Sequence, residues 1–380
     1  MDFELSADQK MIVDTCSSFV KKELPVERMR HLREDAIGWS KDVWKQMGEL
    51  GWLGIMHPEE VGGFGGSFVD AGLIVERFGS NLVGEPFTAS AVVAAMAVRS
   101  GSAEQQARWL APMVAGDTSL ALAWAERGGR FDAHRCATRA EKSGNGYRLR
   151  GEKVWVLNGH AADQLVVSAR THGLDGDADG VSLFVVDAST PGFVRKTVKT
   201  MDGQKAAMLS IDCEVGADQL LGDEGAGTSA LERALDYGAA AAVAEGHGVM
   251  KKALEMTVEY LKTREQFGVK IGVFQALQHR AVDMFIETEL TKSVMLMAAL
   301  KVDSADDTER RRAVSVAKVQ FAMSGRFVSQ QAIQLHGGVG VTDEHDIGLF
   351  FKRTHVLTTL WGDEEFHLQR LVQLPGFVAG

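Results

Sequence analysis

Three textures that follow one another along the chain predict an α+β fold of several packed units. Helical periodicity fills the first ~115 residues, strand-type alternation with turn residues runs from Leu120 to about Val215, and long helical patterns return from about Gly225. This order divides the chain into an N-terminal helical domain (residues 1–115), a middle β-barrel or β-sandwich (116–224) and a C-terminal bundle of four-helix type (225–380).

The N-terminal domain opens with Ser6-Ala7-Asp8-Gln9, a capping box in which Ser6 accepts from a free backbone N–H and Gln9 reaches back. Met11, Ile12, Thr15, Cys16 and Phe19 then recur at helical spacing. A second helix fits Lys41–Leu50, with Val43, Trp44 and Met47 facing inward. Residues 57–66 carry a proline and four glycines, which break both regular structures and predict a loop. Helical patterns resume through Leu73–Phe78 and Ala89–Arg99. In the middle domain the strand candidates are Tyr147–Leu149, Lys153–Leu157, Gln164–Ala169, Val181–Val186 and Met208–Ile211, with Thr171–Gly180 an exposed hairpin loop. Thr228–Thr263, Val273–Lys301, Thr308–Leu335 and Glu364–Val372 are the C-terminal helices, joined by short loops as in a bundle. Within the first of these, the glycines and alanines between Gly238 and Gly248 imply close helix packing, or else room for a bulky group.

Composition closes several function classes. Lys and Arg total 41 against 51 Asp and Glu, a net charge of −10, and no basic tract offers a phosphate backbone its counter-charge, so nucleic acid is not an expected partner. No run of 18 apolar residues is present, so no membrane-spanning helix is expected. The opening MDFELSADQK lacks an apolar signal core, and Cys16, Cys136 and Cys213 lack metal-ligand spacing. Ordinary thiols in a reducing compartment, the cytoplasm, are expected, with no metal site. No P-loop, nucleophile elbow or H-E-x-x-H pattern occurs, and the glycines of 62–66 have no strand–helix unit around them.

The specific signal is Tyr260–Gly268, reading Y-L-K-T-R-E-Q-F-G, followed by Phe274-Gln275-Ala276-Leu277-Gln278. Further along stands Gln334-Leu335-His336-Gly337-Gly338; earlier stand Lys153-Val154-Trp155 and Pro58-Glu59-Glu60-Val61-Gly62-Gly63. In this order the motifs resemble those of the acyl-CoA dehydrogenase family over essentially the whole chain. The resemblance implies FAD as cofactor and an acyl-CoA thioester as substrate, desaturated at its α,β bond. It further implies that Arg264, Phe267, Gln275, Gln334, Gly337 and Gly338 grip the ADP half of FAD, and that Trp155 lies at the flavin. In the family that grip serves the flavin of a neighbouring subunit. The residue types suit that role, because a diphosphate needs a cation and close backbone N–H donors, and glycine admits a close approach. Taken singly, Arg264 could equally be a surface ion pair and Gly337-Gly338 a helix C-cap.

The likeness is incomplete on the flavin side. The family's T-E-P-x-x-G-S-D segment reads here Ala125-Glu126-Arg127-Gly128-Gly129-Arg130-Phe131-Asp132, and the hydroxyl residue after its W-I is Leu157, which cannot donate a hydrogen bond. The family's catalytic glutamate, seven residues before the arginine of a Q-R pair, falls at Asp363 when counted back from Arg370; the less common position on the preceding long helix falls at Gly238. Asp363 is thus the candidate base, with helix capping as its alternative role. A grip retained while the flavin edge and base are altered resembles the small subunits of two-gene dehydrogenases of the pimeloyl-CoA and steroid-CoA type. That resemblance implies a second acyl-CoA dehydrogenase subunit as partner and an electron-transfer flavoprotein as acceptor. A self-sufficient homo-oligomer using Asp363 and a flavin oxidase or monooxygenase on the same fold are the alternatives.

Overall fold

The structure, a computed structural model, describes residues 5–376. Its helices, in chain order, are α1 (Ala7–Glu23), α2 (Arg28–Leu32), α3 (Lys41–Glu49), α4 (Phe68–Asn81), α5 (Ala95–Val98), α6 (Ala103–Val114), α7 (Thr228–Thr263), α8 (Gln275–Lys301), α9 (Asp307–His336), α10 (Ile347–Thr359) and α11 (Glu364–Val372). The strands are β1 (Leu120–Ala123), β2 (Arg139–Ser143), β3 (Gly146–Leu157), β4 (Gln164–Arg170), β5 (Val181–Asp187), β6 (Phe193–Lys199), β7 (Lys205–Gly216), β8 (Leu220–Leu221), β9 (Glu265–Gln266) and β10 (Val269–Lys270). Two compact units emerge. One comprises Met1–His31, Phe68–Val83 and Ala239–Gly380; the other comprises Leu32–Ser67 and Gly84–Gly238. The long helix α7 begins in the second and continues in the first.

The first unit is helical. The capping box closes the start of α1: Ser6 Oγ accepts from Gln9 N at 3.1 Å, and Gln9 Oε1 from Ser6 N at 3.1 Å. Gln9 Nε2 also donates to Asp70 Oδ1 on α4 (3.0 Å), while Asp303 Oδ2 caps α4 from a distant loop by accepting from Phe68 N (2.9 Å). From Ala239 to Met250, α7 is buried on every face. Such a helix needs small side chains where others cross it. A Cβ on Gly246 would meet the Phe321 ring at 2.2 Å, and one on Gly248 would meet Glu76 O at 2.0 Å. Close packing is therefore what this stretch of glycine and alanine provides. The antiparallel layer of α8 and α9 carries α10 and α11 on α9. Ile347–Thr359 was not expected as a helix, because its aromatic and β-branched residues favour strands locally. Its packing on α9 decides otherwise.

The second unit is built on one mixed eight-stranded sheet, ordered β6-β7-β3-β2-β4-β5-β8, with β1 parallel to β4. The five strand candidates all lie in it. β2 and β6 are not legible in the sequence because polar and charged residues (RAEKS and FVRKTVK) hide the alternation. Pairing with β3 and β7 supplies what local sequence does not. The strands enclose an apolar core of their own, with Leu149, Leu165, Val167, Phe184 and Ile211 all buried. Residues Phe87–Ala94 coil as a wide π-helix, and Ser90 Oγ accepts from Leu120 N at 2.7 Å, tying this segment to β1.

Candidate functional site

In the helical unit, α7 ends at Thr263 and the chain turns at once. Arg264 N donates to Tyr260 O (2.8 Å) and Ile271 N to Arg264 O (2.9 Å), closing the small β9–β10 hairpin. Its two-residue turn is Phe267-Gly268, both with positive φ (55° and 78°). Asparagine–glycine is the easy occupant of such a turn, and a bulky residue there is strained. Phe267 is also 90% exposed, its ring meeting only the edge of Phe274 at 6.2 Å. Helix α8 follows without a side-chain cap, leaving its first N–H groups open, and Gln275 sits exposed at its first position.

The other candidate residues close α9. Gln334 is exposed, and Gly337 follows at φ 60°, ψ −142°, a backbone region reserved for glycine. Nothing lies within 4 Å of a Cβ built on Gly337 or Gly338, so no neighbour within the chain demands glycine at these exposed positions. A ligand approaching the backbone would. The two sets of residues are joined by an aromatic stack. His336 lies against Tyr260 with ring centroids 4.6 Å apart, and His345 lies 4.7 Å from His336. Burial holds the His336 imidazole below its ordinary pKa, so the neutral ring donates through Nδ1 to Ala332 O at 2.8 Å. Thus Arg264 and Phe267 on one side and Gln334–Gly338 on the other leave the frame together.

In the sheet unit, Trp155 is the exposed residue of a strained strand. The β3–β7 register breaks between Lys153 and Val156, and Trp155 in that bulge has φ 53° and is 54% exposed. Beneath it Lys153, with no exposed side-chain surface, donates to Glu126 Oε1 at 2.6 Å and to Ser168 Oγ at 2.9 Å. Burial by itself would raise the Glu126 pKa; the Lys153 ammonium and the hydrogen bonds from Thr138 outweigh it and hold the carboxyl below its usual range.

With this geometry in place, comparison with known proteins decides the family. The acyl-CoA dehydrogenase N-terminal, middle and C-terminal domain descriptions match residues 6–117, 121–213 and 225–373. The chain is 31% identical to the probable acyl-CoA dehydrogenase YngJ of Bacillus subtilis, over 98% of each chain. It belongs to the acyl-CoA dehydrogenase family. Among solved structures it resembles butyryl-CoA dehydrogenase from Megasphaera elsdenii (27% identity, TM-score 0.89, 97% of this chain and 98% of that one). It also resembles a chain of the ChsE4–ChsE5 complex from Mycobacterium tuberculosis (28% identity, TM-score 0.88, 99% of this chain and 100% of that one). Members of this family are FAD-dependent oxidoreductases acting on the CH–CH bond of an acyl-CoA.

The residues present fit the family's FAD on its nucleotide side: an exposed guanidinium, two exposed amides, an uncapped helix start and two glycines with open space before them. The acidic candidate lies elsewhere in the helical unit. Asp363 is the N-cap of α11, its Oδ1 accepting from Phe366 N at 2.9 Å. Gly362 before it has φ 116°, and a Cβ there would meet His367 Nε2 at 2.4 Å. The turn is held from α9 and α11: Lys318 Nζ donates to Leu357 O and Leu360 O (both 2.9 Å) and to Thr358 O (3.3 Å), while His367 Nε2 lies 3.2 Å from Trp361 O. Burial drives the Lys318 pKa down to about 7, against the pull of Asp363. Glu245 on α7 is paired with Arg353 at 2.6 Å. Sequence reading did not find the Glu245–Arg353 and Lys153–Glu126 pairs. The only available signal was charged residues in otherwise apolar stretches. Among the described residues, no cluster of His, Cys, Asp or Glu is arranged to hold a metal ion.

Proposed function

We propose that this chain is the nucleotide-gripping subunit of a hetero-oligomeric, FAD-dependent acyl-CoA dehydrogenase, acting with a second subunit of the same family that supplies the catalytic base. Phe267 carries this reading. A bulky aromatic residue in left-handed backbone, 90% exposed, is strained, and within its own chain its ring meets only the edge of Phe274. It makes sense against a ligand or partner beyond the chain. The outer face of α8 points the same way, since Val282, Phe285, Ile286 and Leu290 are each about half exposed along one stripe. Relatives in a two-protein complex, ChsE4–ChsE5, share this fold over the whole chain.

The cap at Asp363 supports the second half of the proposal. A carboxylate bound to a helix N-terminus is fixed along the backbone, and an acid is a good substitute for serine or threonine as an N-cap. By the same count from Arg370, the glycine and the hydroxyl residue of the family's E-G-T/S segment fall at Glu364 and Glu365. Asp363 is thus one methylene shorter than the family's glutamate and is also engaged as the cap of α11. Bound FAD supplies the two-electron acceptor for the hydride leaving the β-carbon. This chain's Arg264, Gln275, Gln334 and Gly337-Gly338 hold its ADP half in place, and the α-proton goes to a partner carboxylate. An electron-transfer flavoprotein as acceptor and a cytoplasmic setting complete the proposal.

The visible spectrum and flavin stoichiometry of the chain, purified alone and co-expressed with a second family member encoded beside it, test the reading. Sub-stoichiometric FAD and activity only in the pair are expected. One FAD per chain with full acyl-CoA oxidation by the isolated chain would overturn it and return Asp363 to the role of base, to be checked by Asp363→Asn.

A further inference from the structure

The bulge in β3 raises a question that FAD binding does not answer: what keeps Trp155 in its strained, outward conformation? Lys153 pairs with Leu209 and Val156 with Ala207, so Val154 and Trp155 together oppose the single residue Met208. Left-handed backbone at a tryptophan persists only where its surroundings over-determine it. On the near side of the bulge those surroundings are almost entirely one buried polar cluster. Lys153 Nζ donates to Glu126 Oε1 (2.6 Å), Ser168 Oγ (2.9 Å) and Trp124 O (3.3 Å), with Cys136 Sγ at 3.7 Å. The Glu126 carboxylate accepts three further bonds, from Thr138 Oγ1 (2.6 Å), Thr138 N (3.0 Å) and Ala137 N (2.6 Å). Val154 N donates to Ala125 O at 2.9 Å, so the bulge is sewn directly to the segment that follows β1. On the far side Val156 is buried and Asn158 Nδ2 donates to Leu120 O (3.2 Å).

We propose that the buried Lys153–Glu126 pair is a positioning device: it pins the bulge that presents Trp155 outward, and through Trp155 it sets the flavin-facing edge of this chain. Energetics alone do not require it. An apolar pair of similar volume in a buried site is often as stable as an ion pair, or more so, so the specificity of the ammonium's directed bonds is what the pair adds. Neither residue acts on the cofactor directly; both act through Trp155. The consequence for flavin rests on the function proposed above, but the device itself is testable without flavin.

The test uses the full chain without added FAD. The emission of the chain minus that of its Trp155→Phe variant isolates Trp155 from the other six tryptophans, and acrylamide quenching of that difference reports its exposure. The double variant Lys153→Met/Glu126→Leu removes both charges together, which spares the fold the cost of a lone buried ion. Its expected behaviour is cooperative unfolding near the parent's midpoint, with the outward state of Trp155 depleted about tenfold and its emission maximum and quenching both changed. If the double variant does not fold, Glu126→Gln, which keeps size and shape, is read by the same two signals. A folded variant whose Trp155 emission and quenching match the parent's overturns the proposal, even if its melting temperature falls. A FAD titration of the same proteins, alone and in the co-expressed pair, separates this result from the partner-chain reading, whose failure would leave the Trp155 signal unaffected.

Discussion

Phe267 in the helical unit and Trp155 in the sheet unit have nearly the same backbone strain, φ 55° and 53°, and both expose an aromatic ring. They hold that strain by different means. Phe267 sits in a closed two-residue hairpin turn, where the β9–β10 pairing and the Lys270–Glu265 contact (2.7 Å) hold the backbone within a few residues. Trp155 sits in a bulge whose anchor reaches 27 residues back, from Lys153 to Glu126, through a buried ion pair. Local strain of the first kind is easily kept and tolerant of change. Strain held by tertiary contacts depends on a few buried bonds, and fails when one partner is lost.

The sharpest way to break this comparison is Glu126→Ala. It strands the Lys153 ammonium in a site with no exposure and is expected to cost about 3–5 kcal/mol, read from urea unfolding. A loss below about 1 kcal/mol would mean that the pair is not the anchor. Acid probes the same unit. Burial pushes His57 from 6.5 down to about 4, its Nε2 lying 2.7 Å from Ala91 O. The unfolded imidazole therefore binds its proton below pH 6.5, while the folded one does not until about 4. Over that window the unfolded state holds more protons, so stability falls as pH falls, by about 3 kcal/mol in all for this group. His57→Gln is expected to flatten the slope measured between about pH 7 and 4.5.

Smaller effects belong to the proposed grip. Phe267→Asn places the preferred residue in the turn and is expected to raise stability by about 0.5–1 kcal/mol, while FAD affinity of the co-expressed assembly falls about tenfold or more. Unchanged affinity would remove Phe267 from the grip. Gly338→Ala is the mildest. With open space around the added methyl and no positive φ, stability is expected to stay within about 0.5 kcal/mol of the parent while FAD binding weakens. Equal FAD affinity in a calorimetric titration would show that no ligand approaches that backbone.

Much of the fold, and the turn that carries the proposed grip residues, is legible in the sequence because it is written locally. The capping box at Ser6, the close-packed run in α7 and the motif residues from Arg264 to Gly268 are each a short pattern whose meaning does not depend on distant partners. Asp363 shows the limit. Counting along the sequence puts it forward as a base. The sequence also allows a helix cap there, and the start of α11 after Gly362 is what realises it, because a helix terminus is fixed by where the chain turns and not by spacing from an arginine. Likewise Ile347–Thr359 and the polar strands β2 and β6 take their form from α9, β3 and β7.

Periodicity and contiguous motifs are enough to specify the family, the helices–strands–helices order and the side chains available to an ADP group. It takes the folded chain to direct the three donors of Lys318 at the end of α10, to pair Glu245 with Arg353 and to bring Lys153 to Glu126 beneath Trp155. The reason is physical: a buried charge is defined by its partner, and partners brought together by folding lie at separations in the chain that no periodicity encodes.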